Sequence, residues 1–88
     1  MSSGDEIRHR AAVPEYRQLA AILRRRIRDG RIPPGAVLPS EQQLRDEFGI
    51  SRNTSRRAIA LLRGEGLVVT VAGRGSYAAD PLPGPEDD

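Results

Sequence analysis

Between residues 16 and 27 the apolar positions fall at helical spacing: Tyr16, Leu19, Ala20, Leu23 and Ile27. That stripe predicts an amphipathic helix with one face turned to a core. Pro14 suits the opening turn of such a helix, and Gly30 ends it just after Asp29. Ile32-Pro33-Pro34-Gly35 cannot continue it, because paired prolines remove amide donors and Gly35 permits a sharp turn. Val37-Leu38 has length only for a short strand. Ser40 and Gln43 then have the spacing of a capping box, and Leu38 can fold over the first turn toward Leu44. The second helix, about two turns long, places Leu44 and Phe48 inward and stops at Gly49.

The stretch Gly49 to Leu62 organises the rest. Gly49 can take the positive φ that closes a helix, Ile50 is an apolar anchor beyond it, and Ser51 caps a new helix. Ser55, Ala58, Ile59 and Leu62 share its inner face, while Asn53, Arg56, Arg57 and Ala60 fall on the outer one. Arg52 projects past the helix end. A buried hydroxyl at Ser55 needs a partner, and the carbonyl of Ser51 is within reach. Gly64-Glu65-Gly66 ends the helix. Leu67 to Val71 is β-branched and apolar, Ala72-Gly73-Arg74-Gly75 turns, and Ser76 to Ala79 returns. Two strands alone are unstable, so this hairpin must lie on the helices. The fold class is α+β: a winged helix-turn-helix of three helices plus a two-stranded β wing, with room for a short third strand at Val37-Leu38. Residues 1–13 show no helical stripe and read as a flexible leader, residues 14–79 as the domain, and residues 80–88 as an acidic, proline-rich tail or truncated linker.

Charge sharpens this outline. The net charge is only +2, yet all fourteen basic residues are arginines. Residues 14–79 hold twelve of them against six acids, and the segment 80–88 holds four acids and no base. A basic body with an acidic tail suits a polyanion partner. With no cysteine and a single histidine, His9, no thiolate or histidine-based metal site is expected, and no cofactor. There is also no nucleophile–base pair or phosphate-binding glycine loop, which argues against an enzyme. No long apolar run or signal peptide is present, so a cytoplasmic protein without a membrane partner is expected.

The tip of the third helix carries the candidate chemistry. Arg52 can give two parallel hydrogen bonds to guanine O6 and N7. Ser51, Thr54, Arg56 and the opening amides of the helix suit phosphate. Arg74, held between glycines at the hairpin turn, can lie along a phosphate strand or enter a minor groove. A solvated arginine-rich helix would show similar residues, so the surrounding pattern must decide. The arginines Arg17, Arg24, Arg25 and Arg28 on the first helix read as a solvated face.

From Tyr16 to Ala79 the chain resembles the winged-helix DNA-binding domain of the GntR family of bacterial transcription regulators. The landmarks are Tyr16, Leu19-Ala20, Leu23, Ile27, Gly30, Pro34-Gly35, Leu38-Pro39-Ser40-Glu41, Gly49-Ile50-Ser51-Arg52-Asn53-Thr54, Arg56, Ala58, Leu62, Gly66-Leu67 and Gly73-Arg74-Gly75-Ser76. The resemblance implies DNA contacts from Ser51, Arg52, Asn53, Thr54 and Arg56, a phosphate contact from Ser40, and minor-groove contacts from Gly73, Arg74, Gly75 and Ser76. Tyr16, Gln42 and Arg57 are secondary candidates. It further implies a homodimer on an inverted-repeat operator in double-stranded DNA, gated by a small-molecule effector through a domain absent from these 88 residues. A naturally short stand-alone DNA binder and a winged-helix protein-interaction module are the alternatives. Two positions depart from the family pattern. Gln42 stands where many relatives have arginine, and Ser55 where a branched apolar residue is usual.

Overall fold

The computed structural model describes residues 5–84. Helix α1 spans Glu15–Arg28, α2 Glu41–Phe48 and α3 Arg52–Gly64. Strands β1, Val68–Val71, and β2, Gly75–Ala78, follow. The boundaries have local causes. Pro14 precedes α1 without a side-chain cap. Ser40 and Gln43 form a complete capping box on α2, and Gly49 closes that helix at φ 67°. Ser51 then accepts the Thr54 amide at 3.1 Å to start α3.

Leu19, Leu23 and Ile27 of α1 meet Leu44, Leu62 and Leu67 in a core from which water is excluded. Ala58 and Ser55 present the inner face of α3 there, and Ile59 packs partly buried against it. The Ser55 hydroxyl donates to the Ser51 carbonyl at a long 3.4 Å. Strands β1 and β2 pair antiparallel with Val68 opposite Ala78 and Val71 opposite Gly75. Val68 and Ala78 are buried and dock the hairpin on the helices. The expected third strand is a single bridge, Val37 to Tyr77, supported by the Leu38 amide on the Ser76 carbonyl at 2.8 Å.

One boundary differs from the sequence reading. The fold begins before Pro14, because residues 5–13 lie against α1 instead of standing off as a leader. Ile7 enters the core with 8% of its surface exposed. Gln18 receives the Arg8 amide at 2.8 Å and returns bonds to the carbonyls of Arg8 and Val13. His9 Nδ1 lies 2.6 Å from a Glu15 carboxylate oxygen. Asp5 pairs with Arg26 at 3.0 Å, and Arg26 reaches on to Glu47 at 2.8 Å, so this strap ties α1 to α2. A single isoleucine among polar residues gives no periodic signal, which is why the pattern of the chain hid it. At the other end Leu82 also packs partly buried on the core, within the segment read as a loose tail. Residues 85–88, which hold most of that tail's acids, lie outside the described residues.

Candidate nucleic-acid interface

The exposed end of α3 carries Arg52, Asn53 and Arg56, all open to solvent. Ser51 both accepts the Thr54 amide and donates to the Thr54 hydroxyl at 3.0 Å, which leaves the Thr54 proton to point outward. Arg52 and Arg56, one turn apart, converge on Glu41 in the first turn of α2. Arg56 Nε donates to one carboxylate oxygen at 2.8 Å, and Arg52 Nε stands 3.6 Å from the other. Both side chains remain about three-fifths exposed, 60% and 64%. Exposed pairs of this kind contribute under about 1 kcal/mol, so they steer the arginines at little cost to release.

Beside the tip, the Arg57 guanidinium lies 4.1 Å from the centre of the Tyr16 ring, a cation–π contact joining α3 to the start of α1. Arg17 Nε donates weakly to the Tyr16 hydroxyl at 3.4 Å. That neighbour, with Arg57 behind it, holds the phenol below its usual pKa. Tyr16 therefore sits among cations, where a phosphate oxygen would be welcome.

The hairpin turn stands across from the tip. Gly73 takes φ 79° and Gly75 φ 120°, values that favour glycine, and the Arg74 amide closes the turn on the Val71 carbonyl at 2.9 Å. The Arg74 side chain is exposed and makes no ion pair among the described residues. Between the turn, α3 and the start of α2 runs a groove of about 730 Å³, bordered by Ser40, Arg56, Arg63, Thr70, Arg74 and Ser76. Ser40 accepts the Gln43 amide, and its hydroxyl proton has no acceptor among the described residues. Gln42 also lines the groove, with its amide donating to Asp46 at 3.0 Å.

The structure therefore brings Ser40, Gln42, Arg56 and the wing residues Gly73 to Ser76 around one groove, ties Arg52 to its edge through Glu41, and sets Tyr16 and Arg57 together as a separate pair joining α1 to α3. Sequence reasoning missed Glu41 as the acid that holds Arg52 and Arg56, and missed Arg63 and Thr70 in the groove. The i, i+4 spacing of Arg52 and Arg56 was a usable signal for a shared partner. Nothing in the spacing of residues points to Arg63.

By contrast, the arginines of α1 are mostly engaged within the chain. Arg24 forks onto Glu65 at 2.8 and 2.6 Å, Arg26 holds Asp5 and Glu47, and Arg25 reaches Asp5 at 3.4 Å. Beyond the helix, Arg31 pairs with Asp29 at 3.0 Å.

Three helices, a capped helix-turn-helix and a hairpin wing define this as a winged-helix domain with Arg56, Arg63 and Arg74 around the α3–wing groove. Residues 15–77 match the pattern of the bacterial regulatory proteins of the gntR family. The chain belongs to that GntR family. It is 37% identical over 75 residues to the HTH-type transcriptional repressor NagR of Bacillus subtilis (strain 168), covering 85% of this chain and 31% of that protein. It is 42% identical over 73 residues to the HTH-type transcriptional regulator Rv0792c of Mycobacterium tuberculosis (strain ATCC 25618 / H37Rv), covering 83% of this chain and 27% of that one. The chain thus spans about three-tenths of the length of these relatives. Among solved structures it resembles AraR(DBD) in complex with operator ORX1, with a TM-score of 0.77 and 33% identity over 84% of this chain and 95% of that one. It also resembles YtrA from Sulfolobus acidocaldarius, a GntR-family transcription factor, with a TM-score of 0.76 and 30% identity over 88% of this chain and 81% of that one.

Proposed function

We propose that this domain binds double-stranded DNA sequence-specifically, as the DNA-reading part of a bacterial transcription regulator. The observation that carries the reading is that Arg56 of α3 and Arg74 of the wing border one groove, with Arg52 and Asn53 exposed at the same end of α3 as Arg56. In this reading α3 enters the major groove, Arg52 reads a guanine edge, and Arg56, Thr54 and Ser40 hold phosphates. Arg74 and its glycine neighbours follow the minor groove. The likeness to AraR(DBD), solved in complex with operator ORX1, supports the DNA-binding reading. So does kinship with proteins named as transcriptional repressors and regulators.

Two copies would bind an inverted repeat, their α3 helices about 34 Å apart in successive major grooves. A domain outside these 88 residues would bring effector control, as the greater length of the relatives suggests. The protein would act in the cytoplasm. No helix among the described residues is long and apolar enough to cross a membrane.

Titration of duplex binding against salt tests the reading. With about five phosphates neutralised per subunit, log K falls with log salt at a slope of about −4 to −5 per subunit. A slope near zero overturns it.

A further inference from the structure

The groove between α3 and the wing has a floor that the reading above leaves unused. Arg63, in the last turn of α3, donates from Nη1 to the Thr70 hydroxyl at 3.1 Å. The Thr70 hydroxyl in turn pairs with the Ser76 hydroxyl across β1 and β2 at 3.1 Å. All three residues line the groove. A guanidinium has five N–H donors, and one of those of Arg63 is used here. Arg63 makes no ion pair among the described residues, unlike Arg24 and Arg26.

The shape of duplex DNA gives this floor a role. A sugar–phosphate strand forms the ridge between the major and minor grooves. A domain with α3 in one groove and its wing in the next must straddle that ridge, and the space between α3 and the wing receives it. The strand then passes over Arg63 with a cation and two hydroxyls beneath it. Resting on the DNA-binding reading, we propose that Arg63 is a phosphate-binding residue at the centre of the groove. Thr70 orients it, and the Arg63–Thr70–Ser76 chain sets how far the wing stands from α3. The ligand is a DNA phosphodiester. The donor set is a planar fork on a hydroxyl, which positions Arg63 as a lysine could not be positioned.

The test uses the 88-residue chain and a mixed-sequence duplex, with affinity measured across a salt series. Arg63 and Thr70 are both exposed, so substitution at either leaves the core intact. Arg63→Ala lowers affinity about tenfold for all duplexes alike and makes the salt slope shallower by about 0.9. Arg63→Lys restores the slope with only part of the affinity. Thr70→Val leaves the slope unchanged and weakens binding about threefold, in keeping with one oriented hydrogen bond lost. The double variant is no weaker than Arg63→Ala alone, because Thr70 acts through Arg63. A residue that merely finishes the helix would leave the slope where it was. An unchanged slope in Arg63→Ala, or losses that multiply in the double variant, overturns the assignment while parental binding keeps the DNA reading intact. A parent that binds no duplex sinks both.

Discussion

Arg52 and Arg56 share one carboxylate but differ in what they can recognise. Arg52 lies at the first position of α3, where its fork clears the helix end. Arg56 sits one turn further in, at the edge of the groove. Arg52→Ala should therefore erase about 1–3 kcal/mol of preference between operator-like and scrambled duplexes. Arg56→Ala should weaken both duplexes by a similar factor, and competition binding separates the two outcomes. The arginines themselves were legible, because a capped helix opening with Arg-Asn-Thr has few other uses beside a wing. Glu41 was not, since its partners come from a different helix and only the packing of α2 on α3 brings Arg56 to 2.8 Å and Arg52 to 3.6 Å. Gln42 was legible as a departure from the family, but its bond to Asp46 shows only in three dimensions.

The elements rest on their ends. Ser40 and Ser51 each satisfy an amide that would otherwise be orphaned, and Gly49 takes the left-handed turn between them. Ser40→Ala or Ser51→Ala should each cost about 1 kcal/mol. In a domain of this size that lowers the melting temperature by about 4–8 °C, readable by circular dichroism. Ser55→Ala should cost less than either, since it gives up only the stretched 3.4 Å bond to Ser51. Helix limits were readable because caps, glycines and prolines act within a few residues. The third strand was less so: Val37-Leu38 has the right composition, but only Val37 bridges to Tyr77.

At the scale of the whole molecule the strap from Asp5 to Val13 closes the core over α1. Ile7→Ala should destabilise it by about 2–4 kcal/mol, seen as a lower urea midpoint with native-like secondary structure. Acid should act through the ion pairs of α1 and the loop after it. Arg24 holds Glu65 below its ordinary pKa, and Arg31 does so for Asp29. Burial pulls Asp5 upward, but Arg26, Arg25 and Arg31 outweigh it and leave a net lowering. A carboxylate with a lowered folded pKa stabilises fully above its unfolded value and loses that contribution as pH falls through the folded one. The urea midpoint should therefore hold down to about pH 5 and decline below about pH 4. Glu65→Gln should blunt that decline. Asp29 to Arg31 is local, but Asp5 to Arg26 and Arg24 to Glu65 span twenty residues or more, and no local pattern announces those two.

The way the arginines are partnered has a further outcome for encounter. Arg24, Arg25 and Arg26 of α1 are paired with acids, whereas Arg57, Arg63 and Arg74 make no ion pair among the described residues. A polyanionic rod approaching the α3–wing groove would thus meet, at Arg63 and Arg74, guanidinium groups with no carboxylate to displace.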